Sequence, residues 1–171
     1  MRRILLKNVL QGPFTEPSPG ADDAALKELA ARVDQAARIR LGRTLSIREV
    51  DAGSCNGCEL EIHALNNVIY DLERFGLRFV ASPRHADVLL VTGPVTANMR
   101  EALERTHKAT PDPKWVVAVG DCARNGGIFA DSAACVGGVS KVVPVDLHIA
   151  GCPPSPMALL RGLLALIETV K

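Results

Sequence analysis

KWVVAVGDCARNGG, residues 114–127, decides the fold. Its first half is an unbroken apolar run from Trp115 to Val119, bounded by Lys114 and Gly120. A short, uniformly apolar run of this kind is the texture of a strand covered on both faces, as in a parallel sheet. Its second half leaves the strand through a glycine, meets Cys122 two residues later and continues into Gly126-Gly127. A glycine-flanked cysteine just past the carboxyl end of a strand lies on the rim where open α/β sheets bind their ligands.

Outward from this stretch the same texture recurs. TLSIREV (44–50), LRFVA (77–81), ADVLLVTG (86–93) and VVPVDLHIA (142–150) read as further strands. Helical patterns lie between them, over Glu59 to Leu72, Ala97 to His107 and Ser155 to Thr169. Strand and helix in alternation predict an α/β fold, flavodoxin-like, with a mostly parallel sheet flanked by helices. Ahead of it, Asp22 to Arg40 places Leu26, Leu29, Ala30, Val33 and Ala37 on one helical face, with an acidic start suited to a helix N-terminus. Met1 to Gly20 holds three prolines and reads as an irregular arm. The expected organisation is an N-terminal arm and amphipathic helix over residues 1–43 and an α/β domain over 44–171, the helix docking on a neighbouring subunit.

Composition narrows the function. A net charge of +1, with scattered Lys and Arg, gives no field to attract nucleic acid. The opening MRRILLKNVLQG turns polar too soon for a secretory leader, and the longest apolar stretch, MALLRGLLALIETV, is short and carries Arg161. The expected location is cytosolic, which turns the five cysteines toward metal or redox chemistry rather than structural disulfides. The paired glycines at 126–127 and 137–138 lack any nucleotide-binding context.

Four of those cysteines follow predicted strands. Cys55 and Cys58, in SCNGCELEIHAL (54–65), come after the first strand, Cys122 after KWVVAVG, and Cys152, in GCPPSP (151–156), after the last. Cys135 lies elsewhere, in SAACVGGVS, and reads as a small apolar residue. Parallel strands would bring the other four thiols to one rim. A zinc clip, a redox dithiol or a [4Fe–4S] cluster could each use thiolates, although structural zinc sites usually come as two local CxxC pairs.

CNGCELE, SPRHADVLLVTG, GDCARNGGIF and VDLHIAGCPPSP, in this order, resemble the small electron-transfer subunit shared by complex I and the NiFe hydrogenases. Within that superfamily the likeness is to the small subunit of membrane-associated, energy-converting hydrogenases of the formate hydrogenlyase type. The resemblance implies one [4Fe–4S] cluster held by Cys55, Cys58, Cys122 and Cys152, relaying single electrons to or from a large-subunit active site. It implies as partners a hydrogenase-type large subunit, a ferredoxin-like iron–sulfur subunit and integral membrane subunits, with the chain peripheral on the cytoplasmic side of the inner membrane. The complex I subunit carries adjacent cysteines where this chain has Asn56-Gly57 between them, a departure from the quinone-reductase alternative. A zinc-stabilised interaction module is the alternative of a different class. Glu61 matches a glutamate of the family, as does the loop carrying Arg84 and His85. Glu61 could handle protons or serve the helix N-terminus; for Arg84 a surface role weighs equally.

Overall fold

A computed structural model describes residues 23–169. The expected arm at Met1 to Gly20 lies outside them. The chain order is α1 (Asp23–Leu41), β1 (Ser46–Asp51), α2 (Gly57–Ala64), β2 (Arg78–Phe79), β3 (Val88–Thr92), β4 (Val95–Thr96), α3 (Ala97–Ala109), β5 (Trp115–Val119), α4 (Gly120–Asn125), β6 (Cys135–Gly137), β7 (Leu147–Ile149) and α5 (Pro156–Thr169). Five strands form one sheet in the order β2-β1-β3-β5-β7, every neighbouring pair parallel. Counting only these five, the order is the flavodoxin-like 2-1-3-4-5, whose switch point lies between β1 and β3.

The central strands behave as their sequences require. All five residues of β3 and of β5 are buried, because each strand is covered above and below. Alternate side chains divide between two cores. Ile47, Val88, Leu90, Val117 and Val119 pack with Leu159, Leu160 and Leu163 of α5, whereas Leu89, Val91, Val116 and Ala118 pack with Leu103 of α3 and Ala123 of α4. This is the period-two alternation of a pleated strand.

Helix α1 gives its apolar face to the first of these cores, through Leu26, Leu29, Val33 and Ala37. Burial of each larger side chain contributes about 1.5–3 kcal/mol, so α1 is held chiefly by packing. Polar contacts fix its placement on α5: Arg40 donates to the Ile167 carbonyl at 3.0 Å, and Arg32 meets Glu168 at 3.1 Å. The apolar face of α1 is thus covered by the chain itself.

Two elements are shorter than their sequence pattern suggests. The helix expected to reach Leu72 stops at Ala64. Beyond it, Asn67 Oδ1 accepts from the N–H groups of Ile69 and Tyr70, and Asp71 adopts a left-handed conformation at φ 43. An Asn side chain that bonds the backbone ahead of it builds a turn instead of a helix. The strand expected over 142–150 pairs only from Leu147 to Ile149, after Pro144 and a short 3-10 turn over Val139–Lys141. A small antiparallel ribbon, β4 with β6, was not evident from the sequence.

One buried carboxylate fastens the sheet to the chain that enters it. Asp87, just before β3, accepts from the Ser46 N–H at 2.9 Å and receives both Nη groups of Arg43. With Arg43 half-exposed, removal of the carboxylate mainly loses charge-assisted hydrogen bonds of about 1.5–3 kcal/mol. Asp87→Ala is expected to lower unfolding stability by about 2 kcal/mol, measured by urea titration, and Asp87→Asn by less.

Candidate metal centre

The strand ends supply the geometry. Asp51 pairs with Thr92, Thr92 with Val119, and Val119 with Ile149, so the last residues of β1, β3, β5 and β7 form one line across the sheet. Four chains leave the sheet side by side at this line. With strands spaced about 4.8 Å apart, β1 and β7 are separated by roughly 14 Å, so their loops must lean inward for the cysteines to meet.

Glycines make that inward lean possible. Gly93 follows β3 at φ +72, and a Cβ placed there would come within 2.5 Å of the Ser54 nitrogen. The Cys55 loop therefore crosses directly over the end of β3. Gly120 follows β5 at φ +86, where a Cβ would lie 2.7 Å from the Cys58 sulfur and 3.2 Å from the Gly151 carbonyl. Both the Cys58 thiol and the Cys152 loop thus rest on the end of β5. A side chain at either position would be strained by its backbone and blocked by its neighbours. At Gly57 a Cβ would make only ordinary contact with the Cys55 sulfur, at 3.6 Å. The left-handed residue in that turn is Asn56, at φ 70.

Each loop is also fixed by its own hydrogen bonds. Asp51 Oδ1 accepts from the N–H groups of Gly53 and Ser54, and Ser54 Oγ accepts from Asn56 N–H. Asp121 Oδ1 accepts from Gly151 N–H. Cys58 then falls in the first turn of α2, whose N-terminus no side chain caps. Open N–H groups at a helix N-terminus favour an anion beside them.

All four predicted residues border one cavity of about 130 Å³, together with Ser54, Gly57, Gly93, Asp121, Gly151 and Pro153. Cys122 and Cys152 also face a wider opening lined by Arg124, Asn125 and Ile128. None of the cysteines is in a disulfide. Among the described residues no three His, Cys, Asp or Glu side chains close around a point that would hold one metal ion. A zinc ion in four thiolates needs sulfurs about 2.3 Å from a single centre, whereas this cavity exceeds by several-fold the 10–15 Å³ or so that one water requires.

Electrostatics tie the four together. Burial, first, and then the charges of Glu59, Cys122, Cys55 and Cys152 push the Cys58 thiol up to about 12. Burial also raises Cys122, as do Cys152 and Cys55, while the Ile128 N–H directed at its sulfur pulls the other way. A bare thiolate is disfavoured at Cys58 and at Cys122, and a positively charged group beside them would remove the conflict. Beside this cage lie carboxylates that the sequence did not single out. Both oxygens of Glu59 and Oε1 of Glu49 are buried without a hydrogen-bond partner. Burial raises the Glu49 carboxyl above its usual range, opposed by His63 at 3.5 Å and reinforced by Glu59.

The remaining candidates lie apart from the cavity lining. Glu61 is half-buried on α2, and Arg84 and His85 are exposed on a 3-10 turn capped by Ser82 Oγ. Cys135 sits in β6, paired with Thr96, and His148 is exposed in β7.

The family described as NADH ubiquinone oxidoreductase, 20 Kd subunit, matches residues 55–166. A probable membrane-bound hydrogenase subunit of Pyrococcus furiosus is 44% identical over 83% of this chain and 84% of its own length. Formate hydrogenlyase subunit 7 of Escherichia coli is 49% identical over 72% of this chain, which spans 48% of that longer protein. Among solved structures, a chain of the archaeal membrane-bound sulfane sulfur reductase superposes with a TM-score of 0.66 at 37% identity, covering 81% of this chain and 74% of that one. A chain of an NAD+-reducing [NiFe]-hydrogenase shares the fold, with a TM-score of 0.59 at 22% identity over 75% of this chain and 94% of that one.

The raised Cys58 thiol has a direct consequence. Its protonated form is the one the fold favours, so ionisation costs stability as pH climbs from the ordinary thiol range toward about 12. In the metal-free chain at pH 8, Cys58 is expected to react with iodoacetamide about a hundredfold or more slowly than the exposed Cys55 and Cys152, followed by peptide mass spectrometry.

Proposed function

The chain belongs to the NADH ubiquinone oxidoreductase 20 Kd subunit family, and from that premise we propose that it is the iron–sulfur electron-transfer subunit of a membrane-associated, hydrogenase-type complex. Its relatives are subunits of hydrogenase and complex I-type oxidoreductases. The observation that carries the proposal is the convergence of Cys55, Cys58, Cys122 and Cys152 on a single glycine-lined cavity. One [4Fe–4S] cluster would be held by these residues and would supply one-electron redox chemistry at the end of the sheet.

The chain's own groups have definable tasks. The four thiols give up their protons on loading, so loading is favoured as pH rises. The uncapped N-terminus of α2 and the Ile128 N–H offset negative charge near Cys58 and Cys122. Residues 120–127 and 151–153 hold the cage open on one side toward a partner. Ile128 and Leu60, 84% and 61% exposed, sit beside the ligand-bearing turns and suit a protein partner better than water.

The partners in this reading are a hydrogenase-type large subunit, a ferredoxin-like iron–sulfur subunit and integral membrane subunits. No helix of the described residues is long and apolar enough to cross a membrane. Attachment on the cytoplasmic side of the inner membrane would accordingly be through the complex. A complex I-like, quinone-side role is the second reading, and the family match favours it as well. The Asn56-Gly57 insertion between the first two cysteines is the feature that sets it aside.

Chain purified without oxygen is expected to carry about four iron and four sulfide atoms, to bleach with dithionite and to give an EPR signal on reduction. Cys152→Ser should lose most of the iron. Stoichiometric zinc without sulfide would establish the zinc-stabilised module instead.

A further inference from the structure

We propose that Asp121 is a positioning residue that clasps the Cys122 and Cys152 turns into one preformed ligand pair; this rests on the cluster reading above. Asp121 N–H donates to the Gly151 carbonyl at 2.9 Å, and Gly151 N–H donates to Asp121 Oδ1 at 3.1 Å. The two residues that close this ring each stand one position before a cysteine. The paired segment of β5 and β7 ends at Val119 and Ile149. The backbone bond from Asp121 carries the pairing two residues further, and the carboxylate adds a second bond across the gap. Cys152 is exposed, on a loop that includes Gly151 at φ +140.

The same device closes the opposite end of this strand pair. Asp146 N–H donates to the Val116 carbonyl at 2.9 Å, and Val116 N–H donates to Asp146 Oδ2 at 2.7 Å. There it is remote from any cysteine and serves only the pairing of the strands. The two aspartates therefore form a natural control pair, alike in bonding, of which only Asp121 adjoins a cysteine. The carboxylate of Asp121 also puts negative charge beside two ligand turns, which favours the more oxidised state of a bound cluster.

Cluster release to an iron chelator under anaerobic conditions separates these roles. Asp121→Ala, which removes the acceptor, is expected to release iron about 10- to 100-fold faster than wild type, the scale on which ligand-orienting contacts act. Asp121→Asn retains an oxygen to accept from Gly151 N–H and should release iron near the wild-type rate, with a higher midpoint potential. Asp146→Ala should lower thermal stability as much as Asp121→Ala while leaving release unchanged, so general destabilisation is distinguishable from loss of the clasp. Equal release from Asp121→Ala and wild type, or equally fast release from Asp121→Ala and Asp146→Ala, would overturn the inference alone. Wild-type chain without iron and sulfide would overturn the cluster reading beneath it.

Discussion

The in-register ending of four parallel strands is the constraint on which everything else depends. Asp51, Thr92, Val119 and Ile149 lie on one line, and the chain turns out of the sheet at each of them. No local motif could bring Cys55, Cys122 and Cys152 together, since they are far apart in sequence. The ladder does so, because β3 and β5 are buried on both faces and cannot slip without moving every side chain to the wrong core. The site thereby takes its rigidity from the hydrophobic core. The cysteine loops add only the last few residues, and Gly93 and Gly120 remove the two side chains that would keep those loops apart.

Electrostatics bear on what such a cage could hold. Burial and neighbouring negative charge act together on Cys58, and Glu59 adds a buried carboxylate with no partner. An ionised group in that setting is costly unless paired. The proposed iron–sulfur group would turn the conflict into affinity, because iron charge compensates the thiolates and backbone N–H groups support them. On this view the protein sets redox properties through burial, the α2 N-terminus and the Ile128 N–H, the usual levers for such centres.

Much of this was legible in the sequence, for reasons that differ by residue. The apolar runs at 86–93 and 114–120 read correctly because both faces of those strands are buried and no alternation blurs the signal. The meeting of Cys55, Cys58, Cys122 and Cys152 at one cavity was legible because each lies just after a strand of the one parallel sheet. Helix α1 was legible as a helix, but its apolar face is satisfied by α5, since periodicity shows that a face is apolar and not what covers it. The helix end at Ala64 was obscured because Val68 and Ile69 extend an apolar period over an Asn67 turn and are in fact exposed. The hydrogen-bonding role of Asp121 depends on Gly151, thirty residues away, and no local pattern announces it.

Anomalous diffraction at the iron edge, from crystals of the chain grown without oxygen, tests the central claim most directly. A single compact group of iron atoms, contacted by the sulfurs of Cys55, Cys58, Cys122 and Cys152 above the ends of β1, β3, β5 and β7, is the predicted result. Iron bound by Cys55 and Cys58 alone, with Cys122 or Cys152 turned away, would contradict it.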